Sequence, residues 1–295
     1  MIDRRFIGQS FPSLTVDVEP GRLRAFARAT AQTDPIYWEK TVAQAAGYRD
    51  IPAPLTFLFT LDLEREDPFY FINEMKIDLA RVLHGEQGFT YGAPICAGDR
   101  VTLTSSVTDI YDKKDGALEF VTLLTQARNQ FGEDLGTMTR SIVVREAAPL
   151  KSAPIKAAPL SNMRFEDAEP GDGLPPITQP EICRSTLALF AGASGDHNPI
   201  HIDIDFAKSA GMPDVFAHGM LGMAYLGQLL TNWVPQRAVR AFSTRFVAIT
   251  QLHAVITCSG RVVAKREGNL VALEIQAADQ HGEVKLAGQA LVELP

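Results

Sequence analysis

Residues 190–217 read FAGASGDHNPIHIDIDFAKSAGMPDVFA, and 164 positions earlier residues 26–53 read FARATAQTDPIYWEKTVAQAAGYRDIPA. The two align without a gap. Phe190, Ala191 and Ala193 fall on Phe26, Ala27 and Ala29, and Pro199 and Ile200 fall on Pro35 and Ile36. Further on, Ala207, Ala210, Gly211, Asp214 and Ala217 fall on Ala43, Ala46, Gly47, Asp50 and Ala53. Similarity at a fixed offset marks a duplicated structural unit. A second match pairs KKDGALEF (113–120) with KREGNLVA (265–272), and NQFGE (129–133) with DQHGE (279–283). The offset falls from 164 to 152, so the first copy carries 12 extra residues, assigned to the stretch 63–88.

The whole chain is consistent with two such units. Its 295 residues are 46% hydrophobic and 21% charged, enough for real cores. The net charge of −7, with both signs spread along the chain, excludes a general nucleic-acid binder. Cys96, Cys183 and Cys258 are too few and too scattered for a disulfide framework or a zinc pattern. Reduced thiols, an N-terminus without an apolar signal segment and the lack of any run of about 18 apolar residues predict a cytoplasmic protein without membrane contact. Between the copies, residues 147–176 are rich in Pro and Ala and lack periodicity, which predicts a linker. The division is therefore 1–146, a linker at 147–174, and 175–295.

Each half repeats one order of elements. A strand (14–18; around PEIC, 180–183) precedes a helix (22–31; 186–194). Ser185 suits the N-cap of the second helix and Pro20 the start of the first. A turn on Pro35 or Pro199 follows, then a mostly apolar helix (54–63; 218–230) and alternating strands with tight turns (118–145; 270–294). The predicted class is α+β: an antiparallel sheet wrapped around a buried helix, twice over.

GDHNPIH (195–201) supports three readings. Gly195 can end a helix, and Gly-Asp and Asn-Pro are ordinary turn dipeptides. His197 and His201 stand four apart, as in a helical zinc pair, but Pro199 between them opposes the helix that would align the rings. No Cys or Glu stands nearby to complete a metal set, so no metal is expected. In the third reading, a chain reversed at Asn198-Pro199 brings Asp196 and His201 face to face as an acid–base pair around one water. The first copy keeps Pro35 and Ile36 but has Gln32, Thr33 and Tyr37 where the second has Asp196, His197 and His201. The scaffold recurs and the titratable groups do not, which fits one working site and one retired copy. His218-Gly219 opens the second buried helix, where Pro54-Leu55 stand in the first. A helix N-terminus offers unpaired N–H groups and a favourable dipole, so the Gly219 amide could hold an oxyanion. His218 could equally be a capping or packing residue.

Residues 190–226 resemble the MaoC-like, or type 2, enoyl-CoA hydratase family of hotdog-fold proteins, through a GDxNPxH motif followed by His-Gly 17 and 18 residues after His201. The resemblance covers 175–295. The N-terminal half is similar to the FAS1-type dehydratase N-terminal domain, and the whole resembles a single-chain double hotdog, a fused pseudo-dimer. The resemblance implies an (R)-specific hydro-lyase that adds water reversibly to a trans-2-enoyl thioester of coenzyme A or acyl carrier protein, as in fatty acid metabolism. It implies Asp196, His201 and Gly219 as catalytic, Asn198, His218 and Met220 as substrate-binding, and no cofactor or metal. The oligomeric state stays open: a fused pseudo-dimer can work alone or pair again as a homodimer of double hotdogs. Short members of the family often have serine where this chain has Gly227, which leaves the acyl pocket open. DPFYFINEM (67–75) either lines that pocket or is core, and Arg240, Arg245, Lys265 and Arg266 are candidate phosphate partners. A hotdog thioesterase and a non-catalytic acyl-thioester binding subunit remain the alternatives.

Overall fold

A computed structural model describes residues 2–113, 116–145 and 164–295. The first half runs β1 (Leu14–Asp17), α1 (Pro20–Ala29), α2 (Lys40–Ala45), α3 (Leu58–Asp62), α4 (Tyr70–Glu74), β2 (Val82–Tyr91), β3 (Arg100–Lys113), β4 (Leu118–Asn129) and β5 (Asp134–Arg145). The second runs β6 (Ile177–Thr178), α5 (Arg184–Ser194), α6 (Ile204–Ser209), α7 (Gly219–Trp233), β7 (Val239–Phe246), β8 (Thr257–Arg266), β9 (Leu270–Ala278) and β10 (Val284–Glu293). Short 3-10 turns at Pro35–Tyr37 and Pro199–His201 keep the offset of 164 read from the sequence.

The two sheets are joined. Ten antiparallel strands form one sheet in the order β1-β3-β4-β5-β2-β7-β10-β9-β8-β6. In terms of the repeat the order is the same from either edge, so the pseudo-two-fold passes between β2 and β7. There Glu86–Thr90 pair with Arg245–Ala241. α7 is buried on nearly every face and packs against β7, β8, β9 and β10. One apolar cluster contains Leu23, Phe26 and Phe57 of the first half with Phe190, Leu226 and Phe242 of the second. The Phe26 and Phe190 rings meet at 6.2 Å. A second cluster, around Phe11, Phe71, Ile72 and Met75, belongs to the first half alone.

Three expectations change, and one is kept. The first apolar helix is short. Phe57, Phe59 and Thr60 donate to carbonyls three residues back, and α-helix holds only over Leu58–Asp62 before the charged run toward Pro68 ends it. The extra residues of the first copy build α4, whose Phe71 and Ile72 are core. The strand expected around 180–183 is β6 at 177–178, although Gln179 and Ile182 still donate to Ile256 and Ala254 of the neighbouring segment. The N-cap of α5 is Cys183, whose N–H donates to Thr186 Oγ1 at 3.3 Å, so Ser185 lies inside the helix. Most of the expected linker, residues 146–163, lies outside the described residues. The rest packs on the second half: Ala168 and Leu174 are buried, and the amides of Gly171 and Leu174 donate to Val262 and Gly260. Among the described residues no helix is long and apolar enough to cross a membrane.

A shared core predicts that the halves unfold together. Trp38 and Trp233 report on one half each. Single-tryptophan variants Trp38→Phe and Trp233→Phe should show coincident urea transitions, and Phe190→Ala should lower both by about 3–5 kcal/mol. Separate midpoints would show two independent cores.

Candidate active site

α5 ends where Gly195 takes φ 76°, a left-handed conformation that suits glycine. The chain then turns sharply. The Asp196 amide donates to Ser194 Oγ at 3.1 Å, and the Asn198 amide donates to Asp196 Oδ1 at 3.3 Å. Asn198 Oδ1 accepts from the Ile200 amide at 3.2 Å, which caps the 3-10 turn holding His201. Asn198 thus shapes the turn that carries His201. Pro199 supplies the pre-set φ of that turn.

The structure brings Asp196, His201 and His218 together. A carboxylate oxygen and one ring nitrogen from each histidine lie within 4.8 Å of one another. His201 and His218 rings are 4.1 Å apart, backed by Phe216 and Phe190. His197 is exposed and takes no part in this cluster. The metal-like pair at four-residue spacing is therefore not formed. Another histidine, from the start of α7, completes the cluster.

Hydrogen bonds to carbonyls settle the tautomers, because a carbonyl only accepts. His201 Nδ1 donates to Phe216 O at 2.8 Å, which leaves the Nε2 lone pair free. His218 Nε2 donates to Asp196 O at 3.1 Å, and its buried Nδ1 has no partner among the described residues. Burial pushes the His201 imidazole down, opposed by the Asp196 charge. Burial and then the neighbouring His201 push His218 down to about 4. Both rings are neutral near pH 7. The spare capacity of the trio is thus a carboxylate and two lone pairs, all acceptors. Such a set holds a water through its two protons, or a cation. A cation would be held by the Asp196 carboxylate and the free nitrogens of the two histidines.

Gly219 is the first residue of α7, with His218 at the N-cap, so its amide has no partner within the helix. Phe246 covers its α-carbon: a Cβ there would meet the ring at 2.6 Å. Met220 is 2% exposed in the main core. Arg240 is tied to Glu293, and Lys265 donates to Glu166 O over the Phe165 ring. Arg245 faces Glu86 across the β2–β7 ladder.

His84, on β2, was not singled out in the sequence. Its ring lies 4.6 Å from Phe246, and its Nε2 meets Gln87 Oε1 at 3.1 Å. Burial and then the Arg140 charge push it down to about 3, while Asp196 acts in the opposite sense. Its position in the longer segment of the first copy was the only available signal. The equivalent place in that copy carries no such chemistry. Tyr37 is buried and donates to Gln236 Oε1 at 2.5 Å, and burial raises its phenol well above the usual range. A cleft of about 300 Å³ lined by Tyr37, Tyr48, Trp233 and Arg237 lies there.

The fold is that of the hotdog class. Residues 5–138 match the FAS1-like dehydratase domain region and residues 167–281 the MaoC like domain. An UPF0336 protein of Streptomyces avermitilis is 34% identical over 148 residues, 50% of this chain and 97% of that protein. A solved MaoC-like dehydratase superposes with a TM-score of 0.84 at 24% identity, over 98% of this chain and 99% of that one. A Mycobacterium tuberculosis protein described as a double hotdog fold gives 0.68 at 12% identity, over 97% and 96%. The chain belongs to the MaoC-like double hotdog family.

Neutral buried histidines make stability depend on pH with a definite sign. Unfolded histidine binds a proton below about pH 6.5, whereas His84 folded stays neutral down to about 3 and His218 to about 4. Between those values the unfolded state holds more protons, so stability falls as pH falls and is unaffected above 6.5. At pH 5 each should cost about 2 kcal/mol relative to pH 7. Urea unfolding of His84→Gln against the parent should show a smaller loss between pH 7 and 5; equal losses would place His84 in contact with water.

Proposed function

We propose that the chain is an enoyl-thioester hydratase, or in reverse a 3-hydroxyacyl-thioester dehydratase, acting at Asp196 and His201. The observation that supports it is the all-acceptor trio beside a helix N-terminus. Asp196 and His201 Nε2 hold one water by its two protons. His201, fixed on the Phe216 carbonyl, takes a proton as the water oxygen bonds to C3 of the enoyl group. The electron pair moves through C2 to the thioester oxygen, where the Gly219 amide and the α7 dipole stabilise the charge. The proton then passes from His201 to C2, so water has added across the double bond. His218 packs against His201 and holds the Asp196 carbonyl, which fixes both reacting groups. The product is an (R)-3-hydroxyacyl thioester of coenzyme A or an acyl carrier protein, as the family resemblance implies.

The test follows the ultraviolet absorbance of the conjugated thioester with crotonyl-CoA and longer trans-2-enoyl-CoAs, while a thiol reagent watches for release of coenzyme A. Loss of conjugation without thiol release is expected. Asp196→Asn and His201→Gln should each lower kcat by about 10²–10⁴. Thiol release would point to a thioesterase, and tight binding without turnover to a binding subunit. Because the trio could also seat a cation, dialysis against a chelator is a separate arm, with unchanged kcat expected. Loss of activity restored by a divalent metal would replace the acid–base reading.

A further inference from the structure

Four buried side-chain atoms lack a hydrogen-bond partner among the described residues: His218 Nδ1, Thr244 Oγ1, Arg140 Nε and Arg65 Nη2. They are not scattered. Gln87 on β2 stands opposite Arg140 on β5 and opposite Thr244 on β7. Arg140, Gln87 and Thr244 therefore sit side by side in one row across three adjacent strands, on one face, and all three are buried. Phe246 is two residues beyond Thr244 on the same face and covers Gly219. His84 touches Phe246, and Phe59 lies between His84 and Arg140, with its ring 5.8 Å from the imidazole and 5.9 Å from the guanidinium carbon. A continuous line thus runs from His218 and Gly219, past Thr244, to Arg140 and Arg65.

The far end of this line is positively charged. Asp62 is fully buried and accepts from Arg140 at 2.7 Å, from Arg65 Nε at 3.2 Å and, at 3.4 Å, from the Tyr70 hydroxyl. Two guanidinium groups share one carboxylate. His84 is neutral, Arg65 Nη1 donates to the Pro12 carbonyl at 2.8 Å, and the other neighbours are the rings of Phe59, Phe71 and Tyr70. An unmatched buried cation with free N–H groups is costly unless something pairs with it. Each guanidinium keeps one unpartnered buried nitrogen, and guanidinium recognises carboxylate in a matching geometry.

We infer that the acyl chain of the substrate ends in a carboxylate, which Arg140 receives with Arg65 and Thr244 in support. This rests on thioester hydration at Asp196. The thioester carbonyl lies at Gly219 and the chain extends along the row. Adjacent strands are about 4.8 Å apart, so the Thr244 and Arg140 backbones are separated by roughly 10 Å, with Gln87 between them. The substrates are therefore short ω-carboxy-2-enoyl thioesters.

The experiment compares wild-type protein on fumaryl-, glutaconyl- and trans-2-hexenedioyl-CoA with crotonyl-, trans-2-pentenoyl- and trans-2-hexenoyl-CoA. At the best-fitting length the dicarboxylic substrate should show kcat/KM higher by about 10- to 100-fold, the range of one charge-assisted hydrogen bond. In parallel, the Asp196→Asn variant is titrated with succinyl- against butyryl-CoA and adipyl- against hexanoyl-CoA, and the dicarboxylic member should bind at least about tenfold tighter. Arg140→Met should lower the dicarboxylic-to-monocarboxylic ratio by about tenfold or more. Thr244→Val, whose hydroxyl has no partner to lose, should lower it by a smaller factor. If Arg140→Met does not fold, the wild-type comparison decides. Faster turnover of the monocarboxylic series, or equal binding of the two, overturns the inference and leaves hydration standing. No turnover of either series with tighter binding of the dicarboxylic thioesters supports the carboxylate site and removes the hydratase reading.

Discussion

Five residues of β2, Glu86 to Thr90, pair with five residues of β7, Arg245 to Ala241, and this ladder makes two similar halves one molecule. Without it each half would expose a strand edge, and the inner faces would lose their common core. With it, Phe246 at the end of β7 comes against His84 at the start of β2. That places a side chain of the first half beside the chemistry of the second. The packing of Phe26 on Phe190 then fixes α1 against α5, whose C-terminus delivers Asp196. The cluster at Asp196 depends on both halves even though its three polar members come from one.

Burial sets the electrostatics of that cluster. His201 and His218 are held neutral near pH 7 by loss of solvent, and each spends one ring nitrogen on a backbone carbonyl. A carbonyl can only accept, so each bond fixes the proton on the bonded nitrogen and leaves a lone pair on the other. Two such rings and a carboxylate make an environment that welcomes a donor and repels another acceptor. Mobile imidazoles in water would interchange tautomers and offer no such sign.

Much of this arrangement is legible in the sequence. Local rules suffice for Gly195 as a helix terminator, for Pro20 at the start of α1, and for the period-two strands β4, β5, β9 and β10. The self-comparison separates the scaffold residues, Pro199 and Ile200, from Asp196 and His201, and the structure joins the latter two with His218. The failures have separate physical causes. Ser185 lost the cap to Cys183 because α5 begins two residues earlier, where Thr186 reaches the Cys183 amide. The strand expected around 180–183 is shifted to 177–178, two residues at the sheet edge. His84, Asp62 and Arg140 were missed because their meaning lies in partners far along the chain, Arg140 for Asp62 and Phe246 for His84, set by strand register rather than by spacing. No periodicity reveals that Gln87 faces both Arg140 and Thr244.

The duplication explains why the polar row could arise in the first half. α7 is fifteen residues of nearly all-round apolar surface and leaves no place for a charge on its strands' inner faces. Its counterpart α3 is five residues long, and the chain beyond it departs into α4. The shorter helix ends at Asp62, inside the protein, and a buried carboxylate demands cations. Arg140 and Arg65 answer it, one from β5 and one from the segment that replaces the rest of the helix. A second guanidinium exceeds what the carboxylate neutralises, so the row is not a self-contained ion pair. Simple core stability would be served better by apolar residues of the same volume, as fill the equivalent space around α7. A surplus of buried positive charge, placed where the first half meets the Asp196 cluster, is what a site shaped for an anionic chain end requires.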